Sequence, residues 1–267
     1  MTNFTVLGAG GFIGGRLAVS LSGMGNVYAP FISSNGAVPD EIYERNLGHV
    51  FYCIGLTADF RLRPFDTVEA HVCLLRQILE RASFDSLTYL SSTRVYENAA
   101  TTHESAVLQV SSENQAHLYN LSKLMGESLC LASGRKTRVA RLSNVFGNAM
   151  PQQSFIGSIL KDAVNTGKVH FLTSRNSAKD YVSVDDVIRW LPKIALSGLH
   201  SIYNLASGQN TSNAQIAALL EQRGVSVSFA ADAAEWLFPV IDTSRLMQEM
   251  DGARSSLVSE FDALFNY

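Results

Sequence analysis

Apolar and polar positions along the chain fall into two alternating rhythms. Residues 4–7 make a short β-type run, a glycine-rich turn follows, and residues 12–21 carry the apolar spacing of a helix, so the chain opens strand, turn, helix. A second strand fits residues 26–31, a polar turn 33–36, and a short helix 39–46 beginning at Pro39, where proline suits a helix start. Residues 49–54 form a continuous apolar run of the kind buried on both faces of a parallel sheet, followed by a long helix over 67–82 and a strand over 86–90. Helix 118–132, ending near Gly134, and strand 138–142 continue the alternation. The pattern predicts an α/β fold, a doubly wound parallel sheet with right-handed crossovers.

After Gly147 the rhythm loosens. Helices at 155–166, 184–196 and 213–223 and strands at 169–172 and 201–204 predict a second, smaller lobe interleaved with the end of the sheet. The expected division gives residues 1–150 to the sheet domain, with 181–206 returning to it, and residues 151–180 and 207–267 to the lobe.

Composition narrows the class. The chain has 267 residues, 46% apolar and 17% charged, enough for a well-filled core and too apolar for disorder. A net charge of -3 with scattered basic residues leaves no footprint for nucleic acid or an anionic membrane surface. No stretch approaches the roughly 20 apolar residues of a membrane span, and the apolar start lacks a basic leader and is broken by glycines and Arg16, so a soluble protein without a secretory segment is expected. Three cysteines, Cys53, Cys73 and Cys130, lack paired metal-ligand spacing, which suits a reducing cytoplasm and no metal site.

Three motifs carry chemistry. Gly8, Gly11 and Gly14 lie between the first strand and the first helix, where missing Cβ atoms and a helix N-terminus receive a pyrophosphate, the arrangement of a Rossmann-type dinucleotide site; Phe12 and Ile13 share that turn. Tyr119 and Lys123, four apart on a helix, share one face, and a cation beside a phenol favours the phenolate and proton exchange near neutrality. Ser91, Ser92 and Thr93 follow Leu90 at the carboxyl edge of the sheet, where a hydroxyl can hold a substrate oxygen.

With these motifs in place, the sequence resembles the NAD-dependent epimerase/dehydratase family of extended short-chain dehydrogenases. Further segments strengthen the likeness. Residues 141–147 are similar to that family's RxxNVYG, residues 179–187 to RDYVHVDDV, and residues 203–208 to YNLGSG. The resemblance implies catalytic roles for Tyr119 as acid/base, Lys123 as its electrostatic partner and ribose ligand, and Ser92 as hydroxyl donor, with Thr93 as the fallback. It implies that Cys53, Ile54, Gly55 and Leu56, together with Leu90 and Ser91, line the cofactor, and that Leu142 and Val145 lie near its nicotinamide. Thr57, Ser92, Thr93, Asn144, Phe155 and Arg175 are the implied substrate contacts, with Tyr181 a weaker one and Arg175 a partner for a diphosphate.

Some positions depart from the family pattern. No carboxylate ends the second strand to hold the ribose of NAD, so NADP is open, with Arg16, Ser33 or Ser34 as phosphate ligands. The segment before His49 is short, which opens the adenine side. Thr93 and Arg94 stand where 4,6-dehydratases carry Asp-Glu, which counts against that reaction. His71 reads as structural and His117 as a surface helix residue. The expectation is an NAD(P)-dependent epimerase or 4-ketoreductase acting on a nucleotide-linked sugar, as a homodimer through helices 67–82 and 118–132. A ketoreductase on a non-sugar substrate and a non-catalytic dinucleotide sensor are the alternatives.

Overall fold

The computed structural model of the protein describes residues 1–32, 38–56, 60–250 and 254–265. In chain order the elements are β1 (Thr2–Leu7), α1 (Phe12–Ser22), β2 (Gly25–Tyr28), α2 (Glu41–Glu44), β3 (His49–Tyr52) and α3 (Pro64–Val68). A π-helical segment, Glu69–Cys73, joins α3 to α4 (Leu74–Arg81); then come β4 (Ser86–Ser92), a 3-10 turn at Thr93–Tyr96, α5 (His117–Ala132), β5 (Thr137–Leu142) and β6 (Asn144–Phe146). The remainder is α6 (Phe155–Thr166), β7 (Lys168–Thr173), β8 (Ala178–Ser183), α7 (Val184–Ser197), β9 (Ile202–Leu205), β10 (Asn210–Ser212), α8 (Asn213–Glu221), β11 (Ser226–Ala234), α9 (Ser244–Glu249) and α10 (Leu257–Phe265).

Six strands build one sheet in the order β2-β1-β3-β4-β5-β9, every neighbouring pair parallel. Because side chains alternate across a strand, Val50, Tyr52, Leu87 and Tyr89 pack on one face against Leu74, Leu75 and Ile78 of α4. Phe4, Val6, Phe51 and Leu90 pack on the other against Leu17 and Leu21 of α1 and Trp190, Leu191 and Ile194 of α7. The result is the three-layer, doubly wound arrangement expected. Strand order reverses at β1 and β3, and in such sheets ligands bind outside the carboxyl ends of strands at that switch point.

Several predicted boundaries move. β2 stops at Tyr28, since Pro30 has no N–H to lend to a ladder. The helix expected over 39–46 contracts to Glu41–Glu44, and the one over 67–82 begins earlier, with Pro64 at its start. The turn at 33–36 lies outside the described residues.

β8 pairs with β6 and β10 in a separate three-stranded sheet, yet its Val182 packs in the core of the large sheet, to which α7 and β9 then return. Leu246 of α9 and the following Met250 pack with Trp190 and Leu205, which puts this segment in the large core and not in the lobe. The lobe has its own core, in which α6, α8 and α10 pack on the parallel β7-β11 pair through Ile159, Phe171, Ile216, Leu220 and Phe261. Among the described residues no helix is long and apolar enough to cross a membrane.

Candidate active site

A cavity of about 700 Å³ opens where the carboxyl ends of β1, β3, β4 and β5 face the lobe. Its first wall is the turn after β1. Gly8 takes φ +92°, and a Cβ there would stand 3.0 Å from the carbonyl carbon of Cys53. Gly11 begins α1 with no side-chain cap, so the first-turn amides keep their hydrogen-bonding capacity at the cavity edge lined by Gly11, Phe12, Ile13 and Gly14. A Cβ on Gly14 would approach the Gly8 carbonyl oxygen to 2.3 Å. Gly8 itself shapes the turn and does not line the cavity.

Gly14→Ala is therefore expected to force α1 off β1 at an overpacking cost of about 1–3 kcal/mol. The same displacement should weaken dinucleotide binding about tenfold or more. Titration with NADH by fluorescence reads the change; unaltered affinity would mean that this turn does not cradle a phosphate.

Cys53, Ile54 and Gly55, after β3, form the neighbouring wall. Burial pushes the Cys53 thiol up to about 12, so it packs as an inert apolar group. Leu56 stays off the cavity lining, and its N–H donates to His71 Nε2 at 3.2 Å. His71 is buried, its Nδ1 meets the Ser122 hydroxyl at 2.9 Å, and that hydroxyl donates to the Tyr119 carbonyl. With Nε2 accepting, Nδ1 must carry the proton, so a neutral ring ties the β3 loop to α5. Burial and the Lys123 charge hold it down to about 2, as a structural histidine requires. Thr57 lies outside the described residues.

α5 delivers Tyr119 and Lys123 to the cavity, only 6% and 4% exposed. Lys123 Nζ donates to the Leu90 carbonyl at 2.9 Å and stands 5.9 Å from the Tyr119 ring centroid. Burial lowers this ammonium to about 7, against the opposing pull of Glu127. Burial raises the Tyr119 phenol above its ordinary value, and the adjacent Ser92 hydroxyl and Arg94 pull it back. Arg94 and Lys123 stand equally far from the phenol ring, each 5.9 Å from its centroid. Ser92 caps the 3-10 turn, its Oγ accepting the Arg94 N–H at 3.2 Å, which leaves its own proton to donate.

Leu90, Ser91, Thr93, Leu142 and Val145 also line the cavity, as do Asn144, Phe155 and Tyr181 on the lobe side. Asn144 donates to the Asp180 carbonyl at 2.8 Å, so its amide oxygen is available. Arg175 does not line the cavity: it is exposed, stacked 4.8 Å from the Phe229 ring. Lys179 stands at the lining instead, its Nζ 3.9 Å from the Phe155 centroid, and burial holds it down to about 8. His117 is buried, not a surface residue, because its Nδ1 accepts the Ser111 N–H. Arg16 donates to the Asn148 carbonyl and lies 4.0 Å from Asp185; Ser33 and Ser34 lie outside the described residues. Sequence reasoning passed over Lys179, although it heads the RDY-like motif, and Trp236 and Phe238, which follow β11 and carry no motif.

The profile of the NAD dependent epimerase/dehydratase family matches residues 4–206. Among solved structures, the NAD-dependent NDP-hexosamine 5,6-dehydratase TunA of tunicamycin biosynthesis is similar at TM-score 0.84 and 18% identity, covering 99% of this chain and 96% of that one. The UDP-glucuronic acid 4-epimerase of Bacillus cereus, in complex with UDP-glucuronic acid and NAD, is similar at 0.80 and 16%, covering 100% and 98%. RMD of Pseudomonas aeruginosa, complexed with NADPH, is similar at 0.76 and 19%, covering 99% of each chain. No protein of curated function matches the sequence.

Proposed function

The chain belongs to the NAD dependent epimerase/dehydratase family, and from that premise we propose that it oxidises or reduces a hydroxyl or ketone on a nucleotide-linked sugar. One observation carries this reading: Ser92, Tyr119 and Lys123 converge on a single cavity continuous with the glycine turn. The turn fits a dinucleotide, since the space a Cβ on Gly14 would need is closed by the Gly8 carbonyl and the α1 amides are uncapped. When bound, the dinucleotide supplies the hydride donor or acceptor. Solved structures of the same fold carry NAD or NADPH and, in several cases, a UDP-sugar, which supports both the cofactor and the substrate class.

The chain's own residues supply position and proton transfer. Ser92 Oγ–H donates to the reacting oxygen and holds it beside Tyr119 Oη, which gives up a proton to a ketone or takes one from a hydroxyl. Lys123, held by Leu90, is placed for the ribose hydroxyls, and an arriving anionic ligand raises its charged fraction. Lys179 takes the diphosphate role the sequence assigned to Arg175, since it is the cation at the lobe wall.

Denaturing the purified protein and identifying released nucleotide, then titrating the emptied protein with NADH and NADPH, tests the reading. Stoichiometric NAD carried through purification favours an epimerase that recycles its cofactor, because oxidation and re-reduction cancel. An empty protein that prefers NADPH favours a 4-ketoreductase. Binding of neither would overturn the proposal.

A further inference from the structure

Arg94 is the feature of the cavity that the proposed chemistry leaves unused. It lines the wall beside Tyr119, its guanidinium carbon 5.9 Å from the Tyr119 centroid and 5.2 Å from that of Phe60. Its side chain is 22% exposed. Its backbone N–H is pinned to Ser92 Oγ, so the arginine is fixed in the same turn as the reacting hydroxyl. The guanidinium offers five N–H donors. Among the described residues it makes no hydrogen bond through them: Nε is buried and unsatisfied, and Glu97 stands 3.7 Å away, beyond hydrogen-bond reach, with its Oε2 also accepting from Asn120. Glu97 balances the charge at ion-pair distance without taking a hydrogen bond, so the donors stay open for a ligand's acceptors.

The rest of the lining says what sign that ligand has. The described residues facing the cavity include three cations, Arg94, Lys123 and Lys179, and no carboxylate. Lys123 is tied to Leu90 on the cofactor side, and Lys179 stands at the lobe wall over Phe155. Arg94 lies between these duties, next to the phenol where the reacting carbon must sit. A planar fork there matches a planar two-oxygen anion, whereas a neutral hydroxymethyl group would leave most of its donors unpaired.

We propose that the sugar carries a ring carboxylate, a nucleotide-linked uronic acid, and that Arg94 is the residue that selects it, forking the carboxylate while the neighbouring ring carbon faces Tyr119. The inference rests on the nucleotide-sugar reading above. On a hexuronate the carbon adjacent to the one bearing the carboxylate is C4, so the reacting group is the 4-hydroxyl or 4-ketone.

Calorimetric titration of the NAD-loaded protein with UDP-glucuronate, UDP-glucose and UDP tests this, alongside Arg94→Ala and Arg94→Lys. The expected result is at least tenfold tighter binding of UDP-glucuronate than of UDP-glucose. Arg94→Ala should lose that preference and Arg94→Lys keep part of it, while affinity for UDP stays as it was. Retained NAD in each variant reports that it is folded. Equal affinity for the two sugars, or a preference that survives Arg94→Ala, overturns the inference and leaves the nucleotide-sugar reading standing. Failure of all three ligands to bind overturns that reading and the inference with it.

Discussion

Replacing Tyr119 by phenylalanine is expected to cut turnover by about 10²–10⁴-fold, the range of a positioned general acid or base, while leaving dinucleotide affinity within about threefold of wild type. The substitution removes one oxygen and keeps the ring, which packs tilted at 5.2 Å against Phe60 and edge-on at 5.4 Å against His71. Packing is thus preserved and only proton transfer is lost. Since burial raises this phenol above its ordinary value of 10.0, it is protonated at neutral pH and suited to giving a proton to a ketone. Oxidation of a hydroxyl needs the opposite charge state, so its rate in the wild type should climb with pH through the alkaline range. That limb should be absent from Tyr119→Phe. The check is the pH dependence of single-turnover rates in each direction; a variant that keeps a wild-type rate would remove Tyr119 from the reaction.

The parts of this molecule legible in the sequence are those where chain geometry leaves few alternatives. Gly8 and Gly14 can be read because the turn brings β1, β3 and α1 too close for a Cβ at either position, and Tyr119 and Lys123 because helical spacing alone puts them on one face. The six-strand sheet follows from apolar runs long enough to be buried on both sides. Elements set by lateral pairing were not legible: β6 and β10 are three residues each, and β8 and β11 read as irregular because neither is apolar along its length. The lobe side of the site suffers for the same reason. Arg175 and Lys179 are both cations near β8, and only the pairing of β8 with β6 and β10 decides which meets the cavity. His117 shows the converse, since a polar residue at a helix start looks exposed until the loop before it supplies the Ser111 N–H.

Beneath Tyr119 and Lys123 lies a group whose loss should cost most in stability. Glu127, one turn after Lys123, is buried and meets Arg141 of β5 through Nε at 3.0 and 3.2 Å and through Nη2 at 2.6 Å, while Ser91 donates to it at 2.5 Å. Arg141 also donates to the Tyr96 hydroxyl at 2.7 Å, and that hydroxyl donates to Asn204 of β9. One ion pair therefore joins α5, β4, β5 and β9 directly under the site. Removing one partner strands a buried charge, so Glu127→Ala should destabilise the fold by about 3–5 kcal/mol. At roughly 2–4 °C per kcal/mol for chains near this size, Tm should fall by roughly 6–20 °C.

Replacing both partners, as Glu127→Met with Arg141→Met, should recover much of the loss, since the cost lies in the unpaired charge and not in the absence of the pair. A second consequence reaches the chemistry. Glu127 is what holds the Lys123 ammonium up against burial, so either variant should move Lys123 below about 7 and leave it neutral at physiological pH. Dinucleotide affinity should then fall over a lower pH range than in the wild type, whose own fall comes as pH rises through about 7, and should change little above 7. Thermal unfolding and cofactor titration across pH read the two effects separately. A Glu127→Ala protein that melts within about 2 °C of wild type would show that the Arg141 charge finds water or another partner.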